Sequence, residues 1–206
     1  FESPVEEAFY GLGQPQTGVF NYKNKDVDLT QYNSVVAISF FISSLKYGLL
    51  WDNYSITLFG DNRQKQELGA LNITGKDCNS GLTATYTDRN DSTIVYLQQQ
   101  EDKIDYSFLP LVLPASFPME KGKVVWEGKF SADTTGEYKF FLTASGYLKF
   151  WLNEELLLDK WREGWNPGPS YFRKKLSKGQ TYAVSVEWIP ESSQAFASLK
   201  WLPPIP

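Results

Sequence analysis

Four close pairs of carboxylates are the first residues in this sequence that could do chemistry: Glu6 with Glu7, Asp26 with Asp28, Asp88 with Asp91, and Glu154 with Glu155. Two carboxyl groups held about 5 to 9.5 Å apart across a glycosidic bond are what its acid–base cleavage requires. Sequence neighbours on a strand or turn rarely meet that geometry, so the pairs read as solvated surface charge. Asp88-Arg89-Asn90-Asp91-Ser92 has enough oxygens for a calcium loop. It lacks the turn glycine and the distal bidentate Glu of the EF-hand, and an Asx-rich turn accounts for it.

The chain has no histidine and a single cysteine, Cys78. Ser-His-Asp and Cys-His catalysis need an imidazole to move the proton, and most zinc sites need His or several Cys, so these classes fall away. One cysteine forms no internal disulfide. No metal or other cofactor is expected. The densest functional composition lies at Asp159-Lys160-Trp161-Arg162-Glu163-Gly164-Trp165-Asn166-Pro167-Gly168-Pro169-Ser170-Tyr171. Gly and Pro keep this stretch from being a regular strand, and loops carry function more often than strands do. A sugar has a C–H face that packs on an indole and hydroxyls that suit planar Arg and Asn groups. Trp161, Arg162, Trp165, Asn166 and Tyr171 are therefore the candidate carbohydrate contacts. Trp161 has an alternative role, closing the core with Arg162 stacked on it. Trp126, Trp151, Trp188 and Trp201 lie in alternating runs and read as core.

The elements that must position these residues are strands. With 206 residues, 42 % hydrophobic and 16 % aromatic, the chain can bury a real core in one or two domains. A net charge of −4 removes the basic face that nucleic acid demands. No stretch approaches the roughly 20 apolar residues of a membrane span. Short aromatic and β-branched runs cut by 15 Gly and 11 Pro favour β structure. Tyr138–Thr143 and Tyr147–Leu152, separated by Ala144-Ser145-Gly146, read as a hairpin. Tyr182–Trp188 and Ala197–Trp201 alternate as half-buried antiparallel strands. Val35–Ile42 is almost continuously apolar, as expected of a strand covered on both faces. The polar stretch between Asp61 and Ser80 marks a boundary. The fold expected is all-β, two antiparallel sandwich modules over 1–80 and 81–206, the first incomplete.

Together these motifs resemble a known family. Phe9-Tyr10-Gly11-Leu12-Gly13-Gln14, Thr17-Gly18-Val19-Phe20-Asn21-Tyr22 and Gln31-Tyr32-Asn33 are similar to the N-terminal β-sandwich of glycoside hydrolase family 31, as are Ile38–Ser44 and Tyr47–Asn53. The wording is closest to the α-xylosidases that act on xyloglucan. Gly81–Tyr86, Val125–Gly128, Gly136–Phe140, Trp161–Pro167 and Glu187-Trp188 resemble the protective-antigen-type (PA14-like) carbohydrate-binding sandwich inserted in some of them. The resemblance implies an accessory module that lengthens the substrate cleft. Its expected partners are a xyloglucan-type oligosaccharide or polysaccharide and the catalytic (β/α)8 barrel of the parent chain. The barrel needs about 250 residues of its own, so no catalytic residue is expected here and the chain reads as a fragment of a retaining hydrolase. A parent α-glucosidase, or a purely structural insert packed on the barrel, are the alternatives. Exported relatives imply a periplasmic or extracellular setting in a bacterium, with no nucleic acid and no membrane span involved.

Overall fold

The computed structural model describes residues 3–15, 18–31, 35–52, 56–106, 117–163, 169–191 and 195–205, the side chains of 161–163 excepted. The chain forms two compact units, Phe1–Arg63 and Gln64–Pro206, and no α-helix occurs among the described residues. The all-β expectation holds.

The first unit contains β1 (Phe9–Gln14), β2 (Val27–Leu29), β3 (Val36–Ser43), β4 (Gly48–Leu50) and β5 (Thr57–Phe59). Antiparallel pairing orders three of them β1-β3-β4, and β2 pairs separately with β5. The Gly11-Leu12-Gly13 motif makes a bulge: Leu12 and both glycines have positive φ, and a Cβ at Gly13 would lie 2.1 Å from the Val36 carbonyl oxygen. Leu12 is thereby turned into a small core with Phe9, Tyr22, Val27, Leu29 and Phe41. Phe9 and Phe41 pack at 4.8 Å between ring centroids. Beside this core Glu7 is buried and accepts hydrogen bonds from the hydroxyls of Ser3, Ser43 and Tyr47. Those donors, Ser3 first, hold its carboxyl below the usual carboxylate range. The apolar run of β3 departs from expectation. Val36, Ile38 and Ile42 are 41 %, 47 % and 50 % exposed, so one face of β3 stays uncovered. The run reflects a strand with apolar residues on both faces, of which the described residues bury one.

The second unit contains β6 (Gln66–Glu67), a 3-10 turn at Leu68–Ala70, β7 (Asn72–Gly75), β8 (Leu82–Asp88), β9 (Val95–Glu101), β10 (Ile104–Tyr106), β11 (Gly122–Ser131), β12 (Gly136–Ala144), β13 (Gly146–Leu152), β14 (Glu155–Glu163), β15 (Ser170–Leu176), β16 (Thr181–Ile189) and β17 (Ala197–Leu202). One sheet has the order β14-β13-β16-β11-β8-β9, with β7 also on β11; the other has β10-β17-β12-β15, with β6 on β17. The units divide after Arg63, within the polar stretch between Asp61 and Ser80, and β6 and β7 pair inside the second.

Alternation drives the packing, as period-2 residues of each strand share a face. Tyr138, Phe140, Leu142 and Ala144 of β12 are buried, as are Leu148, Phe150 and Leu152 of β13. The hairpin expected between these strands does not form. β12 and β13 belong to different sheets, and Phe140 and Phe150 meet across the interior at 5.9 Å. Gly146 turns the corner with φ +82, where a Cβ would lie 2.1 Å from the Ile189 carbonyl oxygen. The hairpin that does form joins β13 to β14 through Asn153 and Glu154, both at positive φ.

Three indoles fill the centre, and each buried N–H has an acceptor, as burial demands. Trp126 donates to a carboxylate oxygen of Glu101 at 2.7 Å, Trp188 to the Ser145 carbonyl at 2.7 Å, and Trp201 to the Glu67 carbonyl at 2.9 Å. Glu101 also accepts from the Tyr86 and Tyr106 hydroxyls. Burial pushes both phenols up, and the Glu101 charge adds to the effect.

Candidate functional site

The segment richest in candidate contacts begins on the edge strand of one sheet and ends on the edge strand of the other. β14, which carries Trp161 and Arg162, ends one sheet, and β15, which carries Tyr171, ends the other. Trp161 and Arg162 belong to the end of β14, a strand position where a loop was expected, and their side chains lie outside the described residues. Trp165 and Asn166 also lie outside them. Tyr171 is half-buried on β15, in register with Phe141 of β12, and the two rings pack at 6.1 Å. The Lys139 ammonium sits 4.4 Å from the centroid of Tyr171 and 5.1 Å from that of Phe141. Lys65 lies 4.3 Å over the same Phe141 ring. Lys139 is only 4 % exposed, so its own cation–π contacts work in a partly desolvated setting where each is worth about 1 to 2 kcal/mol.

At least one member of each carboxylate pair is engaged locally. Glu7 holds three hydroxyls, as described above. Asp26 accepts from the Asp61 backbone N–H at 2.9 Å, and Glu155 pairs with Lys174. Asp88 accepts from the Asn90 N–H at 2.8 Å, and Asp91 from the Thr93 N–H at 3.0 Å and its hydroxyl at 2.6 Å. This is the Asx-rich turn expected of the segment. Those bonds hold both carboxyls below their ordinary range, the Asn90 N–H for Asp88 and the Thr93 hydroxyl for Asp91. Among the described residues no group of three metal-ligating side chains occurs.

A second feature was not anticipated. Trp126, Trp188 and Trp201 are buried as expected, but Trp151 is half-buried and faces outward. The sequence contained the signal: Leu148, Phe150 and Leu152 take the inward parity of β13, which assigns Trp151 and Lys149 to the opposite face. There Trp151 lies in register with Ser185 of β16, which lies in register with Glu127 of β11. A groove of about 520 Å³ runs over this outer face, lined also by Lys76, Glu154 and Glu187. Lys76 pairs with Glu127 at 2.5 Å, and Lys123 with Glu187 at 3.6 Å.

Comparison with known proteins agrees with this architecture. The whole chain aligns with 23 % of a GH31 α-xylosidase from Xanthomonas citri, at 35 % identity and a TM-score of 0.87. An α-xylosidase from Saccharolobus solfataricus is 40 % identical over 74 residues, 32 % of this chain and 10 % of that protein. The anti-sigma-I factor RsgI3 of Acetivibrio thermocellus is 28 % identical over 131 residues, 61 % of this chain and 19 % of that one. The chain thus spans less than a quarter of the length of each of these relatives. The resemblance carried by the motifs, to the N-terminal region of a family 31 α-xylosidase bearing a PA14-like insert, holds over the full chain. The PA14 domain profile matches residues 78–205, more than half of the sequence, and the chain belongs to the PA14 domain family.

Proposed function

We propose that this chain is a non-catalytic accessory part of a family 31 glycoside hydrolase, an α-xylosidase acting on xyloglucan oligosaccharides. Its PA14 module holds sugar units beyond the bond being cut. The observation that supports this reading best is the likeness of the whole chain to one segment of an α-xylosidase, 35 % identical with a TM-score of 0.87. Glycoside bond cleavage belongs to the barrel of the parent chain, and the enzyme works outside the cytoplasm, where polysaccharide is met. Remote binding of this kind positions the substrate at the reacting centre. In this reading Trp161 and Trp165 are stacking faces, while Arg162, Asn166 and Tyr171 bond sugar hydroxyls. One aromatic platform contributes about 1 kcal/mol, so isolated affinity is millimolar, on the order of −4 kcal/mol.

Titration of the 206-residue chain with a xyloglucan oligosaccharide tests the reading, alongside an assay of the same preparation on an aryl α-xyloside. Saturable millimolar binding that Trp165→Ala weakens, without turnover, is expected. Turnover by this chain alone, or no binding to any xyloglucan fragment, overturns it. For the first unit a packing role is the second reading, favoured by the exposed apolar residues of β3.

A further inference from the structure

We infer that the groove on the outer face of the seven-stranded sheet is a second saccharide site, in which a neutral glycan lies across the strands with Trp151 as its platform. The described residues that line it lie outside the Trp161–Tyr171 segment, and the site does not depend on that segment binding sugar. Its volume of about 520 Å³ falls within the ordinary range of ligand sites, about 300 to 1,000 Å³. Two turns frame it: the tight connection between β7 and β8, which contributes Lys76 and Cys78, and the Asn153-Glu154 turn between β13 and β14. Between them the floor runs from Trp151 over Ser185 to Glu127, three adjacent strands in register. Two strand spacings, about 10 Å, separate the indole from the carboxylate strand. A chain of sugar rings can span that distance.

The lining selects the occupant. Glu127, Glu154 and Glu187 face Lys76 and Lys129, a nearly balanced set that favours neither a polyanion nor a polycation. An apolar helix seated here would strip water from the Lys76–Glu127 and Lys123–Glu187 pairs, a desolvation that their attraction repays poorly. Hydroxyl groups accept from the ammonium groups and donate to the carboxylates without breaking these pairs. A half-exposed indole beside them supplies the apolar face that a pyranose C–H surface requires.

Affinity electrophoresis of the 206-residue chain tests this, with gels containing xyloglucan, hydroxyethylcellulose or dextran as neutral glycans, polygalacturonate as an anion and chitosan as a cation. Retardation by at least one neutral glycan is expected, with affinity lowered about five- to tenfold in Trp151→Ala. Trp151→Phe should retain part of it, and Ser185→Arg, which fills the floor from the next strand, should lower it at least as far as Trp151→Ala. Near-UV circular dichroism and an unchanged melting temperature establish that each variant is folded. Unchanged retardation in both Trp151→Ala and Ser185→Arg overturns the inference, even if Trp165→Ala weakens binding and the other site stands. Retardation by polygalacturonate or chitosan alone, or by no glycan at all, overturns it as well.

Discussion

The two units of this molecule solve burial differently. From Gln64 onward, two sheets close on a core of stacked indoles and phenyl rings, and every core indole N–H has an acceptor. Before Gln64, a three-stranded sheet and a two-stranded ribbon share a core of six buried residues among those described, while β3 leaves three large aliphatic side chains facing outward. The contrast teaches that a continuous apolar run reports what a strand can bury, whereas a regular alternation reports a sheet whose second face belongs to water. By that measure the second unit should fold on its own and the first should not.

The largest test of this contrast is to separate the units. Residues 64–206 alone should unfold in one cooperative transition with urea, while residues 1–63 alone should show no transition and should bind a hydrophobic dye. A cooperative first unit would break the comparison. Next in size is Trp188→Ala, which removes a fully buried indole stacked 6.2 Å from Trp126 and should cost about 3 to 5 kcal/mol in equilibrium denaturation. Glu101→Leu leaves the Trp126 N–H and two tyrosine hydroxyls without their shared acceptor, and about 2 to 3 kcal/mol should be lost in the same experiment.

Acid should weaken the first unit through Glu7. Its folded carboxyl ionises below its unfolded value, so its contribution is full above the ordinary carboxylate pKa of about 4 and is lost as pH falls through the lower folded value. Glu7→Gln should therefore flatten the acid limb of a stability profile measured from pH 5 to 2. The smallest effect belongs to Ile38→Thr on the uncovered face, expected to shift stability of this chain by no more than about 0.5 kcal/mol. A loss beyond 2 kcal/mol would mean that this face is already packed.

The β class, the strands and most turns were legible in the sequence because alternation and glycine placement are local. Strand pairing was not. Tyr138–Thr143 and Tyr147–Leu152 have the appearance of a hairpin, yet three residues around a left-handed Gly146 serve equally to step from one sheet to the other. Only the interior contact of Phe140 with Phe150 decides between them. Trp151 was legible and passed over: two adjacent aromatics on a strand cannot both point inward. The candidate contacts at Trp161 to Tyr171 were singled out by composition, which identifies suitable chemistry but not the position of each group. For Tyr171 the structure adds what composition lacked, a ring packed on Phe141 beneath the Lys139 ammonium.

The shared edge of β11 has a practical consequence for anyone wishing to graft this module onto another protein. Gly122–Glu127 pairs with β8, but Gly128–Ser131 pairs with β7, which lies upstream of the PA14 match. A transplant trimmed to residue 78 would amputate that partner and bare four residues of backbone, inviting the stray strand pairing that leads to precipitation. The cut belongs before Gln64.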